Sequence, residues 1–327
     1  MSFVVDGSDW NFYGVGPADI AAHIDAVLAF VQVCNDRGEE VWIGEDFQSR
    51  PMLGTDGLWQ LAADQGLSGE MKQELAAWLG RTSFYLDIDE WPDGFDEVLI
   101  EIDVAAPADN ADVAWVHHHV RAGRAFACLS LRRRGLLPTR TKFGDADLHF
   151  VGDEQERVAF WRDAIKIEGD NVASLVRFAP SAYPNIYFMP GVVANVDRFE
   201  GGYLALRTQV QKAFEALDRH GVWIFTEAPP ALNPEEPRRG TQPSPTNQII
   251  EKRFLNVGLN AAPENPNVRL KKMTRVAREA KIGKATLYCE WHIKVQPHRN
   301  RIHVHGPVEA SDCRVIVGMI DDHLPLP

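Results

Sequence analysis

Residues 290–306 read EWHIKVQPHRNRIHVHG and hold four of the chain's eleven His, with two Arg and one Lys. The pattern upstream is extended. Leu287, Cys289, Trp291, Ile293 and Val295 fall on one side of a strand; Tyr288, Glu290, His292 and Lys294 fall on the other. QPHRN (296–300) is turn material. Ile302 and Val304 then alternate with Arg301, His303 and His305, and RVIVGMI (314–320) is a more uniformly apolar strand. Consecutive strands of this kind predict an antiparallel meander with one wet face. Glu290, His292, Lys294, Arg301, His303 and His305 share that face.

Working outward, NPNVRLKKMTRVAREAKIG (265–283) predicts a basic helix ahead of the meander. PPALNPEEPRRGTQPSPTNQ (229–248) holds six prolines and predicts a linker. Before it, 201–221 predicts a helix through Leu204, Val210, Phe214 and Leu217 that Gly221 closes. Helices are also expected over 153–169 and over 171–180, where Pro180 marks the end. Residues 112–135 begin as a helix and pass into a strand. In the first third, Pro17–Arg37 predicts a helix with Ile20, Ile24, Val27, Leu28 and Val31 on one face. EVWIG (40–44) predicts a strand and 69–81 a second helix. FYLDID (84–89) and EVLIEIDVA (97–105) alternate like strands.

The expected fold class is therefore α+β, in four parts: an acidic α+β segment 1–112, a mainly helical segment 113–228 with one strand, a Pro-rich linker 229–248, and a C-terminal domain 249–327. The net charge of −12 conceals an asymmetry. Residues 1–112 hold 23 Asp and Glu against 4 Lys and Arg; residues 113–142 hold seven Lys and Arg and no acid. Residues 268–301 hold ten Lys and Arg against two Glu. Local charge governs polyanion binding more than the total does. Arg132, Arg133, Arg134, Arg140, Lys271, Lys272, Arg275, Arg278 and Arg299 are the expected nucleic-acid contacts, and the acidic 1–112 segment is the expected surface for a protein partner. No run approaches eighteen apolar residues, and no signal-peptide pattern opens the chain, so no membrane role is expected. Four dispersed cysteines with no CxxC pair fit reduced thiols in a cytoplasm.

The order E-W-H-I-K, N-R-I-H-V-H, R-V-I-V-G-M-I resembles the core hairpin and last strand of RelE/HigB-like toxins, over about residues 270–327. Glu290, Lys294 and Arg301 sit where that family places its acid and cations. The chain departs from it in ending Asp321-Asp322-His323 instead of basic, and in carrying some 230 residues ahead of the motif. The resemblance implies a prokaryotic, metal-independent ribonuclease of toxin or phage-defence type, or a relative that lost the activity. The chemistry is self-consistent: His292 or Glu290 as base, His303 or His305 as acid, Arg301 and Lys294 as the phosphate clamp. The alternative is a non-enzymatic assembly protein whose charged faces are interfaces.

A zinc set of His292, His303 and His305 with Glu290 competes, but Arg301 and Lys294 on the same face oppose it, and no metal or cofactor is expected. His117, His118 and His119 are expected as partly exposed helical residues, since adjacent His on a helix point 100° apart. Asp87/Asp89 and Glu101/Asp103 each place two acids on one strand face. They are expected as solvated pairs, with no Lys placed to make a metal nuclease. LRRRGLLPTRTK (131–142) is expected as a phosphate-contacting loop or, equally, a solvated turn. No phosphate-loop or GxSxG motif occurs.

Overall fold

The computed structural model describes residues 2–92, 94, 97–236 and 244–325. The chain divides into two compact units, Met1–Glu168 and Gly169–Pro327.

The first unit runs β1 (Ser2–Val5), α1 (Pro17–Asp36), β2 (Glu40–Trp42), α2 (Leu58–Asp64), α3 (Gly69–Leu79), α4 (Tyr85–Ile88), β3 (Leu99–Ile102), β4 (Ala108–Asp109), α5 (Ala111–Arg121), β5 (Ala127–Leu129), β6 (Gly135–Thr141), β7 (Gly144–Val151) and α6 (Glu154–Ile167). One seven-stranded sheet, in the order β2-β1-β5-β7-β6-β3-β4, takes every strand. β2, β1, β5 and β7 are parallel; β7, β6, β3 and β4 are antiparallel. The chain steps from β1 through α1 to β2 on one side and later returns to β5 on the other. That makes the β1/β5 junction a topological switch point.

The sheet overrides the expected boundary at 112, because β5, β6 and β7 enter the same sheet as β1 and β2. The expected loop 131–142 is largely β6, paired residue for residue with β7 from Gly135↔Phe150 to Thr141↔Gly144. FYLDID is the short helix α4 rather than a strand. α1 is long and apolar enough to cross a membrane by length and composition, yet Ile20, Ile24, Val27, Leu28 and Val31 are buried in this unit. His117, His118 and His119 are also buried. Three consecutive helical residues point in three directions, and here each direction meets protein: Thr139 Oγ1, the Glu97 carbonyl and the Glu90 carbonyl respectively.

The second unit runs α7 (Val172–Ala182), β8 (Ile186–Phe188), α8 (Gly202–Thr226), α9 (Asn247–Asn256), β9 (Ala261–Pro263), α10 (Pro266–Leu270), α11 (Lys272–Val276), β10 (Glu279–Ile282), β11 (Ala285–Tyr288), β12 (Trp291–Gln296), β13 (Arg299–His305) and β14 (Val315–Asp321). Its sheet is β8-β14-β13-β12-β9, and β10 and β11 form a separate antiparallel pair. The meander β12-β13-β14 is antiparallel as the alternation predicts. It does not stand alone, since β8 adds in parallel to β14 from before the proline-rich stretch.

Residues 237–243 of the expected linker lie outside the described residues. Its flanks are tied together: Arg253, fully buried in α9, donates to the carbonyls of Ala231 (2.8 Å) and Ile224 (3.0 Å). The predicted basic helix is α10, α11 and the strand β10. Pro180 lies inside α7, and Gly221 lies inside α8. A Cβ at position 221 would sit 3.0 Å from Val315 Cγ1, so glycine there lets the helix lie close against β14.

Candidate functional site

On the C-terminal sheet the register brings together four of the six expected catalytic residues. His292 pairs with His303, and Lys294 pairs with Arg301. The expected wet face is dry where the histidines meet, with His292 6% and His303 0% exposed. Glu264 follows β9, which pairs with β12, and Arg278 precedes β10; together they close over the histidines. Glu264 Oε1 lies 2.9 Å from Arg278 Nε, 3.4 Å from His292 Nδ1 and 3.6 Å from His303 Nδ1. The Glu264–Arg278 ion pair is the charged centre of the cluster, and both imidazoles face its carboxylate.

Burial works against the charged Glu264, but His292 and Arg278 more than offset it and bring its carboxyl down to about 2. Burial pushes His303 down to about 3, against the pull of Glu264, so the ring is neutral at any ordinary pH. A neutral, enclosed imidazole beneath a buried ion pair has no route to a substrate proton. Glu290 instead accepts from Asn247 Nδ2 (3.2 Å), and His305 Nδ1 meets the Gly306 carbonyl (2.7 Å). Those contacts dissolve the three-histidine zinc arrangement. Among the described residues no group of three or more His, Cys, Asp or Glu is placed to hold a metal ion.

The expected nucleic-acid contacts separate into different fates. Arg278 is fully buried and also donates to the carbonyls of Thr274 and Pro325, which removes it from any binding surface. Arg134 donates to the carbonyls of Ser130, Leu131 and Arg133 and closes a turn. Arg140 is exposed and pairs with Asp145, and Arg299 pairs with Glu200. Lys271, Lys272 and Arg275 are exposed. Arg132 and Arg133 join a second constellation, at the carboxyl ends of β1 and β5.

There the strand β1 ends in a buried acid. Asp6 is 0%, Asp9 3% and Asp112 1% exposed. The Asp6 amide donates to the Leu129 carbonyl, fastening the turn to the end of β5. Asn110 caps α5 through its Oδ1 and with its Nδ2 donates to Asp6 Oδ1 (3.0 Å) and Ser8 Oγ (2.7 Å). Asp9 accepts from the Ser130 hydroxyl (2.5 Å), the Arg132 amide (2.6 Å) and Arg132 Nε (3.0 Å). Arg133 pairs with Asp6. Asp112 Oδ2 accepts from the Gly7 amide (3.0 Å) and Arg50 Nη1 (2.8 Å), while Arg50 also grips the exposed Asp46 (2.7 Å). Asp112 Oδ1 is buried and accepts no hydrogen bond.

Two glycines make room. A Cβ on Gly44 would lie 2.7 Å from Asp112 Oδ1, and one on Gly7 would lie 2.9 Å from Oδ2. Buried carboxylates are costly unless matched, and their concentration at a switch point marks a functional site. Their environments also differ. Burial raises Asp9, but Ser130, the Arg132 amide and the two guanidinium groups more than offset it, so its carboxyl lies below the ordinary range. Burial raises Asp112 above the ordinary range, with Arg50 only partly opposing it. Carboxyls pushed apart in this way suit one fixed charge and one proton-transfer group.

Sequence reasoning passed over this constellation. Its signal was VVDGSD, an apolar strand running directly into two acids, with Asp112 hidden at a helix start. Comparison with family models, curated proteins and solved structures found no match to the chain.

Proposed function

We propose that the chain acts on nucleic acid, with RNA favoured, as a phosphodiester-cleaving enzyme of toxin or phage-defence type whose chemistry lies at the carboxyl ends of β1 and β5. One observation carries this reading: three buried aspartates meet at the switch point, and Asp112 is pushed toward a protonated state while Asp9 is held below the ordinary range. Asp6 and Asp9 hold Arg133 and Arg132 in place, and those two side chains, 32% and 50% exposed, turn their outer edges to a phosphate. Arg50 covers Asp112 and is 21% exposed. A phosphate that draws Arg50 outward uncovers Asp112: as the 2′-oxygen forms its bond to phosphorus and gives its proton to water, the P–O5′ bond breaks and the protonated Asp112 carboxyl gives its proton to the leaving 5′-oxygen, which leaves a 2′,3′-cyclic phosphate and a 5′-hydroxyl. The cover over His303 is of another kind, because Glu264 and Arg278 are both buried and offer a phosphate nothing to draw outward. The likeness of the meander to RelE/HigB-like toxins favours RNA as the substrate, with the second unit as a binding module and the cytoplasm as the setting.

The competing reading is a non-enzymatic assembly protein, favoured by the matching of Asp6, Asp9 and Asp112 with Arg133, Arg132 and Arg50. The deciding experiment incubates the full chain with end-labelled single-stranded RNA and with duplex DNA, in EDTA and in Mg²⁺ or Mn²⁺. Metal-free cleavage of RNA supports proton transfer by Asp112. Cleavage only with a divalent ion contradicts proton transfer by Asp112 as the source of the activity. No cleavage of either substrate under either condition contradicts the proposal.

A further inference from the structure

The segment between Glu264 and Arg278 leads from the end of β9 to the start of the separate β10–β11 pair, and its two ends meet in the buried pair described above. Inside it, Thr274 Oγ1 donates to the carbonyls of Val268 (2.5 Å) and Lys271 (3.0 Å), and Arg278 Nη1 donates to the Thr274 carbonyl (2.9 Å). So fastened, α10 and α11 turn their large side chains outward. Leu270 is 78%, Met273 74% and Val276 50% exposed, with Lys271 and Lys272 exposed among them. Three apolar residues at three-residue spacing, rimmed by cations on a tightly fixed scaffold, form a surface prepared for a partner.

The chain carries a complementary surface. Residues 1–168 hold 30 Asp and Glu against 14 Lys and Arg, while residues 169–327 hold 16 against 20. Within the first unit, Glu101, Asp103, Asp145 and Asp147 line one cleft of about 280 Å³ with Pro138 and Arg140. The sheet register assembles it: Glu101 lies opposite Arg140, Arg140 opposite Asp145, and Pro138 opposite Asp147. Arg140 is the single cation on that wall and is already held by Asp145. Val104, which follows the lining residue Asp103 in the chain, is 92% exposed.

We propose that the α10–α11 surface of one copy seats in the Glu101/Asp103/Asp145/Asp147 cleft of a second copy, so that the chain self-associates head to tail. Lys271 and Lys272 meet the carboxylates while Leu270 and Met273 cover Val104. Such a contact is heterologous, because its two faces are different surfaces of the chain. It is also salt-sensitive, since exposed charges are screened beyond about 8 Å at physiological ionic strength.

Sedimentation velocity of the full chain over a range of concentrations, at low and high salt, tests it. The expected result is association at low salt that weakens at least tenfold at high salt. Lys271→Glu/Lys272→Glu and Glu101→Lys/Asp103→Lys each abolish it, Met273→Asp weakens it at least tenfold, and mixing the two charge-reversed proteins restores it. Circular dichroism confirms that each variant is folded. A chain that stays monomeric at every concentration overturns the proposal. Reversals without effect, or a mixture that fails to reassociate, overturn it too. A monomer whose Lys271→Glu/Lys272→Glu variant loses affinity for poly(U) overturns it in favour of a nucleic-acid occupant.

Discussion

Asp112 keeps Oδ2 between an amide and a guanidinium and leaves Oδ1 buried without a donor. Its position depends on the missing side chain of Gly44, because a methyl group there would press within 2.7 Å of Oδ1. Gly44→Ala is therefore expected to displace the carboxylate, lowering RNA cleavage by at least tenfold while costing about 1–3 kcal/mol of stability. A urea titration alongside the cleavage assay separates the two effects; unchanged cleavage would show that Asp112 can move without consequence. Little of this was legible beforehand. The strand alternation put His292, Lys294, Arg301 and His303 on one face of the meander, and the register then pairs His292 with His303 and Lys294 with Arg301. What it could not supply was the cover: Glu264 and Arg278 lie far along the chain from His303, and no local pattern announces that they close over it. Asp6 and Asp9 were visible as acids after an apolar run, but their burial comes from β5 and α5, more than a hundred residues away.

At the scale of elements, the excursion that carries α10 and α11 hangs on one buried ion pair. The Glu264 side chain is 5% and that of Arg278 1% exposed. Removing the acid leaves a guanidinium buried without its counter-charge, a change that costs about 3–5 kcal/mol in comparable sites, whereas replacing both partners is far milder. Glu264→Gln is expected to lower the urea midpoint sharply and to speed amide exchange across 265–277 before the rest of the unit. Glu264→Gln/Arg278→Met is expected to recover most of the loss. Equal loss in both would show that packing, not charge, closes the segment. Most elements with strong local signals were readable: α1 begins at its proline and ends before Gly38, and α6 has the acidic first turn expected of it. The errors have physical causes. Gly221 looked like a stop but answers to Val315, and β6 looked like a loop because it opens on Gly135 and carries Pro138 and Arg140.

For the whole molecule, the buried histidines set an acid limit. Burial brings His117 and His119 down to about 4, below the ordinary value of 6.5. Their neutral forms stabilise the fold fully above about pH 6.5. Below that the unfolded chain takes up protons that the folded chain refuses, so stability falls from about pH 6.5 to about pH 4, by up to about 1.4 kcal/mol per pH unit for each histidine. Urea midpoints measured at pH 7.5 and 5.0 are expected to show this loss, and His117→Asn is expected to flatten it; a pH-independent midpoint would contradict the burial. The two-unit division was not legible, because a sheet that collects β1, β2, β5 and β7 from both sides of a compositional boundary leaves no mark in composition. The central claim is that the chemistry belongs to the aspartates of the first unit and not to the histidine face of the second. Single-turnover cleavage of one RNA by the full chain, Asp112→Asn and Arg301→Gln tests it most directly. The account predicts a loss of about 10²–10⁴-fold in Asp112→Asn, the range for a proton-transfer group, and a change within about threefold in Arg301→Gln. Full activity in Asp112→Asn with loss in Arg301→Gln would contradict it.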